Sequence, residues 1–197
     1  YFLKPIKNLV NYTNIIKDSV YNEVTPAIIS DTQFICYNTI PATLTIINHS
    51  SGGGGISNSS YMWQKSSNGI SAWSDIVTGT SFSPDSLTTT TYYRVRTISN
   101  FNCGPEYSNI IPITVYPPFT SGSISNSQDI CYNTTPNQLS FNILPTGADG
   151  NYSYQWYSSI DNFNWNLIPN ATNTSYTPDS LITTTFYRVA VTSDSGC

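Results

Sequence analysis

Ser81–Val95 reads SFSPDSLTTTTYYRV, and Ser175–Val189 reads SYTPDSLITTTFYRV, 94 residues later. A match of this length is a repeat, and a repeat sets the unit in which the fold is read. The surrounding residues extend it. ICYNTIPATLTI at Ile35–Ile46 recurs as ICYNTTPNQLSF at Ile130–Phe141. Tyr61 and Trp63 match Tyr154 and Trp156, Trp73 matches Trp165, and Cys103 matches Cys197. The offset narrows in the middle, so the length changes fall in two loops.

NYTNIIKDSVY at Asn11–Tyr21 also resembles EYSNIIPITVY at Glu106–Tyr116, which closes the first unit. The expected organisation is therefore a segment of a tandem array. Residues 1–24 are the trailing strand of a preceding repeat, 25–118 one repeat, and 119–197 a second repeat without its last strand.

Inside each unit, side chains alternate with a period of two. Tyr93, Val95 and Thr97 alternate with Arg94 and Arg96, and Tyr187, Val189 and Val191 with Arg188 and Ala190. Leu44 and Ile46, Leu139 and Phe141, and Ile111, Ile113 and Val115 repeat the pattern. Such alternation in β-branched and aromatic residues reads as half-buried strands. No stretch has helical periodicity with caps. About seven short strands in each unit of roughly 95 residues predict an all-β fold of tandem immunoglobulin-like antiparallel β-sandwiches.

Trp63 and Trp156 are expected in the core, with Tyr93 and Tyr187. Leu87 and Leu181, after the Pro84 and Pro178 breaks, are expected to plug its lower end. Asp85 and Asp179 have the chemistry to accept backbone hydrogen bonds in that turn. Trp73 and Trp165 follow polar turns and are the candidate stacking platforms for a glycan.

Composition narrows the function. Only 9% of the residues are charged, with 7 Lys plus Arg against 11 Asp plus Glu, a net charge of −4. A nucleic-acid partner needs excess positive charge to release counterions. No apolar run is long enough to span a bilayer, so direct membrane insertion is not expected. Tyr1 opens the chain without a signal sequence, as it would in any mature chain or fragment. The single His49 has no nucleophile at a recognisable spacing. Gly52–Gly55 is not followed by Gly-Lys-Ser/Thr, so it reads as a flexible loop and not a phosphate cradle. The turn before Trp165 falls one residue short of an Asp-box, with Phe163 in place of its glycine. No paired carboxylates of a glycosidase are identifiable. No catalytic residue, metal site or cofactor is implied.

Four cysteines in a hydroxyl-rich, charge-poor chain favour an oxidising, exported setting. The simplest pairing is Cys36–Cys103 and Cys131–Cys197, one bridge per repeat, each worth about 4 kcal/mol by chain entropy. That pairing meets a difficulty. Cys36 precedes the second strand of an immunoglobulin-like order and Cys103 follows the sixth, which puts them at opposite ends, roughly 23 Å apart for seven strand residues. Stacked units that bridge end to end, Cys36 with Cys197, are the alternative.

The cysteine-led ICYNT-x-P segments, the Tyr-x-Trp pairs, SYTPDSLITTTFYRV and the cysteine before the final strand together resemble the tandem immunoglobulin-like or PKD-like repeats of very large Bacteroidetes surface proteins. The gliding-motility adhesins of flavobacteria belong to that group. The resemblance spans nearly all of residues 11–197. It implies β-sandwich modules, export by the type IX secretion system, and a cell-surface filament. It also implies a glycosylation sequon of Asp, Ser or Thr, and an apolar residue, which marks Ser19, Ser86 and Ser180 as candidate O-glycosylation sites. The expected function is a non-catalytic extracellular adhesin or stalk segment. Its expected partners are neighbouring repeats of the same chain, surface polysaccharide and other cell-surface components. A carbohydrate-binding module, or accessory domains of a secreted hydrolase, are the competing readings.

Overall fold

The computed structural model describes residues 13–125 and 127–197. The first unit holds nine strands: β1 (Ile28–Ile29), β2 (Gln33–Cys36), β3 (Leu44–Asn48), β4 (Ser59–Ser66), β5 (Ser74–Thr78), β6 (Ser81–Phe82), β7 (Thr91–Ser99), β8 (Pro105–Tyr107) and β9 (Ile111–Tyr116). A single 3-10 turn at Ile56–Asn58 precedes β4. The second unit holds β10 (Ser123–Ile124), β11 (Leu139–Ile143), β12 (Tyr152–Ser159), β13 (Asn166–Leu167), β14 (Ser175–Tyr176) and β15 (Phe186–Ser193).

The protein is all-β, built as tandem immunoglobulin-like sandwiches. In the first unit one sheet runs β1-β3-β6 and the other β2-β9-β7-β4-β5, with β8 also paired to β7. Every pairing is antiparallel except β2 with β9. The second unit repeats the plan as β10-β11-β14 and β13-β12-β15.

The core lies between the sheets. Ile29 and Leu44 from one sheet meet Tyr61, Trp63, Tyr93, Val95, Ile111 and Ile113 from the other. Each of these occupies the inward phase of its strand, as a period of two requires. Trp63 is fully buried, and its indole N–H donates to the Gly79 carbonyl at 3.1 Å. Trp156 is equally buried and donates to Asn173 at 2.9 Å. Both tryptophans thus satisfy the polar edge that burial would otherwise strand. Leu87 is half-buried and packs against this core.

The second unit is less enclosed. Tyr93 is buried, but its counterpart Tyr187 is half-buried, as are Val189, Val191 and Leu181. The cause is the sheet edge. β7 is flanked by β4 and β9, whereas β15 pairs only with β12 among the described residues. An open cleft of about 630 Å3 runs there, with Leu139, Trp165, Leu181 and Tyr187 in its walls.

The expected trailing strand at residues 1–24 falls partly on residues 1–12, outside the described residues. Thr13–Tyr21 forms no strand, and Ile15 and Val20 are 97% and 96% exposed. A strand needs a sheet edge to pair with, and this stretch meets none.

Candidate functional site: the junction between the repeats

The four cysteines do not form the two within-repeat pairs. Cys36 is bonded to Cys197, with 5.5 Å between Cα atoms, and Cys103 and Cys131 are free thiols. The strand register supplies the reason. Cys36 ends β2 beside Tyr116 of β9. At the same end of the unit, Thr91 opens β7 beside Ile113 of β9. β7 then runs to Ser99 before Cys103, a rise of roughly 26 Å. Cys36 and Cys103 therefore sit at opposite ends of their sandwich, far beyond disulfide reach.

Cys36 lies instead at the end where the chain leaves for the second unit through Pro117 and Pro118. That passage is tightly held. Ala148 N–H donates to the Pro117 carbonyl at 2.8 Å. Thr120 and Thr146 exchange backbone hydrogen bonds at 2.8 and 3.1 Å. The Phe119 and Tyr152 rings tilt together at 5.8 Å, and the Tyr152 hydroxyl donates to the Gly147 carbonyl at 2.6 Å. Gly147 has φ +88°, and a Cβ there would fall 1.9 Å from the Pro118 carbonyl oxygen, so the close approach requires glycine.

Cys197 is presented by a turn at the same end of the second unit. The Ser193 hydroxyl donates to Asp149 Oδ1 at 2.8 Å, and the Ser195 hydroxyl lies 2.7 Å from that of Ser193. Desolvation raises the pKa of the Asp149 carboxyl, but hydrogen bonds from Ser193 and Asn151 outweigh it and leave the group below its ordinary value. The ionised carboxylate is thus the form that fits the turn.

The first unit treats the chain entering it in the same way. Gly53 N–H donates to the Asn22 carbonyl at 2.8 Å, and Thr25 N–H donates to Ser51 at 2.8 Å. A Cβ on Gly52 would meet the Glu23 carbonyl oxygen at 1.8 Å. Gly53 is buried, and its carbonyl accepts from the Ser99 hydroxyl at 2.8 Å. The glycine run is therefore not a free loop. It is the floor on which residues 22–24 lie.

Trp73 and Trp165 lie elsewhere, beside the sheet that holds β4 and β7 in the first unit and β12 and β15 in the second. Each is half-buried beneath an arginine. The Arg94 guanidinium lies 4.1 Å from the Trp73 ring centroid and 4.0 Å from that of Tyr107. The Arg188 guanidinium lies 4.3 Å from Trp165 and 5.3 Å from Tyr157. Arg94 Nε also donates to Gln64 Oε1 at 2.8 Å, while Gln64 Nε2 donates to Asp75 and Arg96 pairs with Asp75 at 2.9 Å. One ring face of each tryptophan is thus taken by a cation. The outward phase of Arg94 and Arg188 in the two Tyr-Arg-Val strands was the available signal for these partners.

The PDSL turns close through backbone. Asn38 N–H donates to Leu87 at 2.7 Å, and Leu87 N–H donates to Thr39 at 3.1 Å. Contrary to expectation, Asp85 and Asp179 accept no hydrogen bond among the described residues; Pro84 and Pro178 are buried and set the turn by packing. Asp85 instead faces the Tyr93 phenol, whose pKa is pushed up to about 12 by burial and then by that carboxylate. Ser19, Ser86 and Ser180 are all exposed. His49 Nδ1 lies 3.3 Å from the Tyr61 hydroxyl, which also meets Ser50. Among the described residues there is no cluster of three metal-ligating side chains, and no helix is long and apolar enough to cross a membrane.

No curated protein sequence matches the chain. A solved structure of the three N-terminal domains of the highly immunogenic outer capsid protein (Hoc) of bacteriophage RB49 is similar at 14% identity and a TM-score of 0.47. The match covers 84% of this chain, which spans 57% of that one. One family model matches twice, over residues 25–117 and again over 120–197. The chain belongs to that family, described as a domain of unknown function (DUF8696).

Proposed function

We propose that this chain is a non-catalytic, extracellular repeat segment of a large cell-surface adhesin, serving as stalk or filament in surface adhesion or gliding motility. The observation that carries the reading is the Cys36–Cys197 bond across two units of one family. A bond inside each sandwich would stabilise that sandwich alone. A bond between sandwiches resists their separation and their rotation about the Pro117–Pro118 linker, which is what a load-bearing stalk needs. Persistent disulfides belong to oxidising, exported settings. The motif resemblance to Bacteroidetes surface repeats supports type IX export, and the exposed Ser19, Ser86 and Ser180 suit O-glycosylation. Neighbouring repeats and surface polysaccharide are the partners this role requires.

The test is immunolabelling of intact, unpermeabilised cells of the encoding organism with antibody against this chain. Surface label that is lost on gene disruption, together with weakened attachment or gliding, is expected. Label seen only after permeabilisation would refute the reading.

One observation favours a second reading, a carbohydrate-binding module: Trp165 stands in the wall of the cleft beside β15. Saturable binding on a glycan array that Trp165→Ala abolishes would establish it over a stalk without ligand.

A further inference from the structure

Two thiols are left over by the inter-repeat bond, and they are the repeat counterparts of the two that form it. Cys131 occupies the position of Cys36, and Cys103 that of Cys197. The equivalence holds in structure as well as in sequence. After Cys36, Thr39 N–H and hydroxyl donate to the Cys36 carbonyl at 3.2 and 2.7 Å, and Asn38 has φ +59°. After Cys131, Thr134 N–H and hydroxyl donate to the Cys131 carbonyl at 3.2 and 2.6 Å, and Asn133 has φ +55°. Before Cys197, Gly196 has φ +72° and donates to Ser193 at 3.2 Å. Before Cys103, Asn102 has φ +54° and donates to Ser99 at 3.2 Å. Each free thiol is thus held by a turn of the same kind as the one that presents its bonded counterpart.

Their surroundings are equivalent too. The Asn22–Gly53 and Thr25–Ser51 contacts at the entrance of the first unit reproduce the Pro117–Ala148 and Thr120–Thr146 contacts at the entrance of the second. Cys103 therefore stands at an entrance already shaped like the one that holds Cys197. Cys131 is exposed, and Tyr132 beside it is 78% exposed against 47% for its counterpart Tyr37 at the bonded junction.

We propose that Cys103 and Cys131 are the two open halves of the same inter-unit bridge, each taking its counterpart on a further unit of this family. Between two copies of this chain set end to end, Cys131 of one copy bonds Cys103 of the next. The contact is heterologous, with each copy keeping one thiol free, so it propagates into an open-ended ladder. The oxidant is a small disulfide such as oxidised glutathione. The Cys131 thiolate attacks one of its sulfurs and releases one glutathione thiolate. The Cys103 thiolate of the next copy then attacks the Cys131 sulfur and releases the second. Two protein thiols are oxidised, one disulfide is reduced to two thiols, and the two protons leave with them.

The inference rests on reading the chain as a repeat segment, but its test is separate from the surface-labelling test. The full chain, with Cys36–Cys197 intact, is concentrated in a glutathione redox buffer and run on a non-reducing gel, and its disulfide-linked peptides are sequenced by mass spectrometry. A ladder whose linking peptide joins Cys103 to Cys131 is expected. Cys103→Ser alone and Cys131→Ser alone should each lose the ladder. Mixing these two variants should restore a single covalent dimer and nothing longer. Linked peptides that join Cys103 to Cys103 or Cys131 to Cys131, exchange into Cys36 or Cys197, or thiols that stay free throughout would overturn the proposal.

Discussion

Replacing Cys36 with Ser should weaken both repeats, although the substitution touches only the first. With the second unit folded, Cys197 stands beside the linker. Unfolding the first unit then leaves a chain tethered at Cys36 and at the linker, a loop of roughly 80 residues, and the chain-entropy relation assigns that constraint about 4.5 kcal/mol. Unfolding the second unit against a folded first one closes a loop of similar size, from the linker to Cys197. The same bond therefore protects each unit by a similar amount. Unfolding both opens the full separation of 161 residues, for which the relation gives about 5 kcal/mol. The two benefits do not add, because one cross-link cannot be removed twice.

Amide hydrogen exchange read by peptide is the suitable assay, because it reports each unit separately. Peptides from Ser59–Ser66 and Thr91–Ser99 report the first unit, and peptides from Tyr152–Ser159 and Phe186–Ser193 the second. A loss of about 4.5 kcal/mol lowers protection by roughly three orders of magnitude, at 1.4 kcal/mol per tenfold. Cys36→Ser and Cys197→Ser should show that loss in both sets of peptides. Cys103→Ser and Cys131→Ser should change neither by more than about 0.5 kcal/mol, as for ordinary surface substitutions. If Cys36→Ser and Cys103→Ser weaken only the first unit, and to the same extent, the bond is within the repeat and the reasoning fails.

Two further outcomes follow from single groups. Thr97 is fully buried with its hydroxyl lacking a partner among the described residues, and the second repeat has Val191 at this position. Thr97→Val should stabilise the first unit by about 1 kcal/mol, seen as a higher urea midpoint at unchanged slope; an unchanged or lower midpoint would show the hydroxyl to be satisfied. Asp161 is held well below the usual carboxylate range, first by the Asn164 N–H, then by the Asn164 side chain, Phe163 N–H and the Ser159 hydroxyl. A depressed carboxylate contributes its stability above the unfolded pKa and loses it as the pH falls through the folded one. Amide signals of Phe163 and Asn164 should therefore shift only in acid below the ordinary Asp range, while those of Ile70 and Ser71, which are held by uncharged Asn68, should not shift with them.

The sandwich was legible because its signals are local. Alternation along β7 and β15 marks inward side chains, and Trp63 and Trp156 fall on that phase. The cysteine pairing was not, because spacing along a chain does not say at which end of a sandwich a residue emerges. It takes the parallel β2–β9 register to put Cys36 at the exit end. Gly52–Gly55 misled for a related reason. A glycine run looks the same whether it is loose or whether it lets another segment lie close, and only the approach of Glu23 tells them apart. For Trp73 and Trp165 the sequence leaves packing and a stacking platform both open, and the guanidinium over each depends on how neighbouring strands align.

The loops of different length in the two repeats bear on what the family retains. The connections His49–Asn58 and Leu144–Asn151 differ in length and sequence, yet each sets a positive-φ glycine against the carbonyl of the incoming chain, Gly52 under Glu23 and Gly147 under Pro118. Each follows that glycine with an N–H that closes on the same incoming segment, Gly53 to Asn22 and Ala148 to Pro117. Neither glycine is part of the cluster of Ile29, Leu44, Trp63 and Tyr93 between the sheets; the contacts lie at the entrance end of each sandwich, where Val24 and Ala148 are buried. What the contacts fix is the angle at which one unit meets the chain before it. A disulfide can span only Cα separations of a few ångströms, so the cysteine bridge requires that angle to be set before it can close. The glycine floor and the inter-unit bond are therefore successive parts of one joint: the first orients the units, and the second makes the orientation covalent.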